Sequence, residues 1–168
     1  MIDTKIFLER FLQKYRFNKV KKILHGDILD FGGNEGELKQ FIPKESTYTL
    51  VNYDHSPMEN KTFDTIVALA VIEHIEVDEV YNIFKKFKKI LNENGVIFLT
   101  TPTPKAHPVL MFLASLNLLD KSNLEEHKHY WTKEEIYELA KSTGFYVEKY
   151  KKFQFGFNQY AVLRHQKS

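Results

Sequence analysis

The chain has 168 residues, 43% hydrophobic and 14% aromatic, which is enough length and apolar material to bury a core rather than remain disordered. A formal net charge of +2 and the lack of cysteine give no electrostatic case for nucleic acid or an anionic membrane, and they exclude disulfides and thiolate metal sites. The first ten residues lack the apolar core of a signal peptide, and the longest apolar run, residues 109–119, is interrupted by Ser115 and Asn117 and is too short to span a bilayer. A soluble, cytoplasmic protein with no membrane insertion is predicted.

In chain order, Asp3 is placed to cap a helix with Phe7, Leu8, Phe11, Leu12 and Tyr15 on one face, and a second short helix is expected over residues 18–24. Together residues 1–24 read as an N-terminal helical cap. A strand at Ile28 and Leu29 follows. Leu38, Phe41 and Ile42 then support about two helical turns before Pro43 stops them. Strands are expected over residues 48–53 and 65–69, the second continuously apolar, as in a parallel sheet covered on both faces. Val77, Val80, Phe84, Phe87 and Leu91 step by three and four, the clearest helical spacing in the chain. Lys85, Lys86, Lys88 and Lys89 largely face away from that stripe and read as a solvated face.

Asn94 and Gly95 turn the chain into a strand over residues 96–100. Pro102, Pro104 and Pro108 mark a loop before an apolar helix over residues 109–119, and residues 102–131 as a whole read as the substrate-side loop and helix. That apolar helix suits a lid, a dimer face or an ordinary buried helix. Thr132 with Glu135 forms a capping box, and Gly144 sits at the C-cap. Strands over 145–150 and 160–163, joined by a short loop with Gly156, should pair as an antiparallel hairpin. Alternating strands and helices predict one α/β domain over residues 1–168, doubly wound and mostly parallel.

The stretch from Asp27 to Leu38 organises this pattern. An apolar strand ends in Asp30, and Gly32, Gly33 and Gly36 follow within a few residues. Glycine permits positive φ and close approach of a ligand to backbone. The spacing is not that of a dinucleotide fingerprint. From Asp30 the order is acid-x-Gly-x-Asn-x-Gly. It resembles motif I of class I S-adenosylmethionine-dependent methyltransferases, with Asn34 in the middle glycine position. Asn tolerates the left-handed region better than other non-glycine residues, so the replacement is mild. A ligand-free strand–helix turn is the plain alternative for the loop alone.

Four later segments extend the resemblance. Asp54-His55-Ser56-Pro57 looks like the family's acid at the end of the second strand. The segments from Phe63 to Ile75 and from Leu91 to Pro102 are similar to its next two motifs. The stretch from Glu126 to Thr132 and the Gly144-Phe145 ending match its small-molecule subgroup, methyltransferase type 11/12-like. The resemblance implies a Rossmann-like methyltransferase sheet and S-adenosylmethionine as methyl donor, released as S-adenosylhomocysteine. It places Gly32, Gly33, Asn34 and Gly36 around the methionine portion, with Asp30 orienting the loop or the amino group. Asp54 takes the ribose, and His55 flanks the adenine unless it is a simple turn residue. The backbone of Ala68, Leu69 and Ala70 meets the amino-acid end.

The sequence departs from the family between Asp54 and Phe63, where too few residues intervene for a helix and a strand. The usual edge strand should therefore be missing, with the sheet ending at the 48–53 strand and its bare edge covered or used in a homodimer. Methyl transfer needs alignment above all, and a base only if the accepting atom must lose a proton. His74, His127 and His129 are the candidate catalytic residues, each with a structural alternative as a helix-start or loop residue. No metal site is expected. The tetrapeptide of amino-methylating nucleic-acid enzymes is absent, so the expected acceptor is a small molecule and not nucleic acid. A methyltransferase-fold module that binds without catalysis, alone or with a partner chain, is the alternative.

Overall fold

The computed structural model describes residues 13–52, 54–55, 58–115 and 126–166, with the side chains of 113 and 114 excepted. The first predicted helix lies mostly outside them, as do Tyr53, Ser56 and Pro57 and the end of the 109–119 helix. Strands β1 (Asp27–Phe31), β2 (Thr47–Val51), β3 (Phe63–Leu69), β4 (Leu91–Pro102), β5 (Phe145–Phe153) and β6 (Asn158–His165) form one sheet of order β2-β1-β3-β4-β6-β5. The first four are mutually parallel where they pair, and β6 runs antiparallel to both β4 and β5. The helices are α1 (residues 13–20), α2 (Val77–Ile90), α3 (Ala106–Ser115) and α4 (Lys133–Ser142). Among the described residues no helix is long and apolar enough to cross a membrane.

Strand alternation divides the core into two layers. Leu29, Ile66, Ala68, Ile97, Leu99, Ala161 and Leu163 face α2 and α4, packing on Val80, Phe84, Phe87, Ile136 and Leu139. Their neighbours Ile28, Val67, Val96, Phe98 and Val162 face the other way, onto Phe17 and Val20 of α1 and Leu38. A strand buried on both faces must be apolar throughout, as β3 and β4 are. Asp30 shares the α1 side with Ile28 and is nonetheless buried.

The shortened segment behaves as the sequence requires. Among the described residues β2 pairs only with β1 and forms the sheet's edge, and those between Asp54 and Phe63 contain no strand. Several element boundaries differ from expectation, among them the start of β4 at Leu91, which puts Asn94 and Gly95 inside that strand rather than in a turn before it. The helix expected over 18–24 is the end of α1, which stops at Val20 and gives way to a turn. The turns after Gly36 are a 3₁₀ helix, Glu37–Phe41. Finally, α3 begins at Ala106, ahead of Pro108. Proline is tolerated there because first-turn N–H groups have no intrahelical acceptor.

Candidate functional site

Sheet order reverses at β1, whose neighbours β2 and β3 are reached by crossovers in opposite directions. Such a switch point opens a crevice at the carboxyl ends of the strands. The glycine turn leaves β1 at this point. Gly32 has φ +73°, its N–H donates to Val51 C=O (2.7 Å), and a Cβ on it would stand 2.5 Å from Val71 Cγ2. Only glycine lets the turn after β1 lie against the turn after β3. Gly33 is pressed as closely on Asp30, where a Cβ would meet Oδ2 at 2.2 Å.

Asn34 has φ 49° and Gly36 has φ +76°. The Asn34 N–H donates to Asn52 Oδ1 (3.1 Å), and Asn52 Nδ2 donates to Asn34 C=O (2.9 Å). The side chain just past β2 thus holds both backbone groups of the strained residue. Asn52 carries no motif signal, and its role emerges only from the pairing of β1 with β2.

Asp30 accepts a hydrogen bond from the Tyr48 hydroxyl (2.6 Å). Burial pushes its carboxyl up to about 6, against the opposing effect of the Tyr48 hydrogen bond. On the other side of the crevice, Ala70 has φ 57°, and its N–H reaches Thr100 C=O (2.9 Å) and Oγ1 (3.1 Å). Positive φ at an alanine is backbone strain held by its surroundings, and it falls at the mouth of β3.

These residues enclose a cleft of about 130 Å³, lined by Asp30, Gly32, Gly33, Asn34, Leu69 and Ala70, and by Gln13, Arg16 and Phe17 of α1 with Glu37 and Leu38. Gln13 Nε2 donates to Glu37 Oε1 (3.0 Å), tying α1 across the cleft. Of the expected cofactor residues, Ala68 is fully buried in the core and does not line the cleft. Gly36, Asp54 and His55 also lie outside its lining, Asp54 exposed past the end of β2 and His55 half-buried with its ring 5.3 Å from that of Phe31. The α1 contribution was not read from the sequence, where that helix presents only a packing face.

A second group stands in the turn after β3. His74 and His127 have ring centroids 4.6 Å apart. Burial lowers both, His127 to about 4 with the neighbouring His74 and His107 rings adding to the effect. His127 Nδ1 is 2.8 Å from the Tyr130 hydroxyl. Glu73, to which the sequence gives no role beyond its place in the segment from Phe63 to Ile75, adjoins His74. It is 1% exposed, and burial pushes its carboxyl up to about 7, partly opposed by Arg16. The Thr101 hydroxyl stands near that carboxyl without meeting hydrogen-bond geometry. His129 takes another place: its Nε2 is 3.0 Å from Glu135 Oε1, and its ring packs on Trp131.

The profile of a methyltransferase domain family matches residues 6–150. No curated sequence matches the chain significantly. Similar solved structures include mitomycin 7-O-methyltransferase MmcR, with TM-score 0.69 and 13% identity over 92% of this chain and 54% of that one. The small RNA methyltransferase HEN1 gives 0.67 and 19% over 95% of this chain and 25% of its own. CalO1, a methyltransferase of calicheamicin biosynthesis in its SAH-bound form, gives 0.66 and 10% over 94% and 55%. This chain therefore spans about half the length of MmcR and CalO1 and a quarter of HEN1. With its strand order and glycine turn, the chain belongs to the methyltransferase domain family and has the class I S-adenosylmethionine-dependent methyltransferase fold.

Proposed function

We propose that this protein binds S-adenosylmethionine in the cleft between the turns after β1 and β3 and transfers its methyl group to a small-molecule acceptor. The observation that carries the reading is the convergence of a close-packed glycine turn, a buried acid and the strained Ala70 on one crevice at the switch point. A cleft of about 130 Å³ is small beside the roughly 300–1,000 Å³ of whole-ligand pockets. It would take the methionine end of the donor, with Asp30 and Glu37 facing the ammonium and Arg16 the carboxylate. Ribose and adenine would then extend past Asn34 toward Asp54 and His55, over the β2 edge.

The donor's sulfonium methyl is already activated, so the chain's task is to align sulfur, methyl carbon and acceptor. The nearly balanced charge and the missing amino-methylation tetrapeptide favour a small acceptor over nucleic acid.

Calorimetric titration with S-adenosylmethionine and S-adenosylhomocysteine tests the reading. Binding at micromolar concentration is expected. Asp54→Ala should weaken it by about 1.5 kcal/mol or more, because a carboxylate facing two hydroxyls makes charge-assisted hydrogen bonds. If the unmodified chain binds neither compound at millimolar concentration, the proposal fails.

A further inference from the structure

Glu73, His74 and His127 come together although 53 positions separate the two histidines in the chain. Two sets of contacts close that gap. The backbone N–H groups of Lys128 and His129 both donate to Glu73 C=O (2.7 and 3.2 Å), and Trp131 Nε1 donates to Ile72 C=O (3.2 Å). The loop before α4 is thereby stitched onto the turn after β3. One ligand atom from each of the three side chains then lies within 4.8 Å of the other two.

The His127 imidazole is oriented by a partner on one ring nitrogen, its Nδ1 lying 2.8 Å from the Tyr130 hydroxyl. The opposite nitrogen of that ring is left as the one to offer a lone pair, the arrangement that fixes metal-binding histidines. Glu73 supplies an independent observation. It is wholly buried, and among the described residues its Oε2 has no hydrogen-bond partner. A buried carboxyl oxygen left without a hydrogen-bond partner is costly. A cation shared with two imidazoles would offset that cost.

We propose that Glu73, His74 and His127 form a binding site for one divalent first-row transition-metal ion. Two nitrogen donors and one carboxylate suit Zn²⁺, Mn²⁺, Fe²⁺ or Co²⁺, whereas Mg²⁺ and Ca²⁺ favour oxygen ligands throughout. Three protein ligands leave positions open for an exogenous oxygen. Ala70 lines the cleft and Glu73 follows three residues later in the same turn, so the site borders the cleft. The use of the ion rests on the methyl-transfer reading. An acceptor hydroxyl bound there gives its proton to solvent. Its oxygen then forms the bond to the methyl carbon while the broken S–C pair stays on sulfur, leaving S-adenosylhomocysteine.

The test uses the full chain without donor or acceptor. Co²⁺ titration followed by visible absorption, with Mn²⁺ followed by electron paramagnetic resonance, should show one ion per chain. Glu73→Gln and His127→Ala should each weaken binding by roughly tenfold or more. If Glu73→Gln does not fold, the half-exposed His127→Ala decides. Wild-type binding weaker than millimolar, or variants that bind like wild type, overturns the site. S-adenosylhomocysteine titration is read separately. Donor binding without metal binding removes only the metal site, and metal binding without donor binding removes only the methyl-transfer reading.

Discussion

Asn34 holds a backbone conformation that most side chains resist, and Asn52 holds Asn34. The strain was legible in the sequence, because Asn stands where the motif calls for glycine. Asn52 was not, because its partner is set by the parallel pairing of β1 and β2 rather than by spacing along the chain. Asn34→Gly should bind S-adenosylhomocysteine about as wild type does. Asn34→Val should bind it roughly tenfold more weakly, since a β-branched residue disfavours positive φ. Calorimetry on the two variants checks the contrast, and equal affinities would remove the left-handed turn from the argument.

Asp30 makes a pH-dependent prediction. Its carboxyl is raised from 3.8 to about 6, chiefly by burial. The folded state therefore holds a proton more tightly than the unfolded chain does. The associated stability is fully present below about pH 4 and is lost as pH rises through about 6. The difference corresponds to on the order of 3 kcal/mol. Asp30→Asn should keep the Tyr48 contact and flatten this slope, so its stability relative to wild type should grow between pH 4 and 7 in urea titrations. An unchanged difference across that range would show that the carboxyl titrates at its ordinary value.

At the scale of elements, α4 shows how a local signal governs a distant group. Thr132 Oγ1 accepts from Glu135 N–H (3.2 Å) and Glu135 Oε2 accepts from Thr132 N–H (2.7 Å), completing the capping box read from the sequence. The other carboxylate oxygen of Glu135 meets His129. The cap thus fixes both the first turn of α4 and the loop carrying His127. Thr132→Ala should cost about 1 kcal/mol in denaturant unfolding. It should also raise amide exchange at Lys128 and His129, whose N–H groups reach Glu73. Loss of stability without faster exchange there would mean that the loop is held independently of the cap. The loop's docking was not legible, because hydrogen bonds to the Glu73 carbonyl leave no trace in residue type. Glu73 itself left a faint one, as an acid between Ile72 and His74 in the approach to α2.

For the molecule as a whole, the sheet's shortened edge followed from chain length alone, since the residues between Asp54 and Phe63 cannot hold both a crossover helix and a strand. The two-layer core was legible from the continuously apolar β3 and the three-and-four stepping of α2. The placement of α1 over the cleft was not, because an amphipathic face says that a helix packs without saying where.

The antiparallel end of the sheet bears on how the chain is assembled during synthesis. β5 precedes β6 in the chain, yet β6 lies between β5 and β4. When a ribosome has released β5, that strand has no place in the sheet, and β4 still presents an open side with Ile97, Phe98 and Leu99 along it. Both vacancies close in one event, when residues 158–165 insert between the two strands. A nascent chain stalled before residue 158 should therefore be protease-sensitive in β5 and bind chaperones. One stalled with residue 165 clear of the exit tunnel should become resistant in both strands together, and resistance of β5 in the shorter chain would contradict this order of assembly.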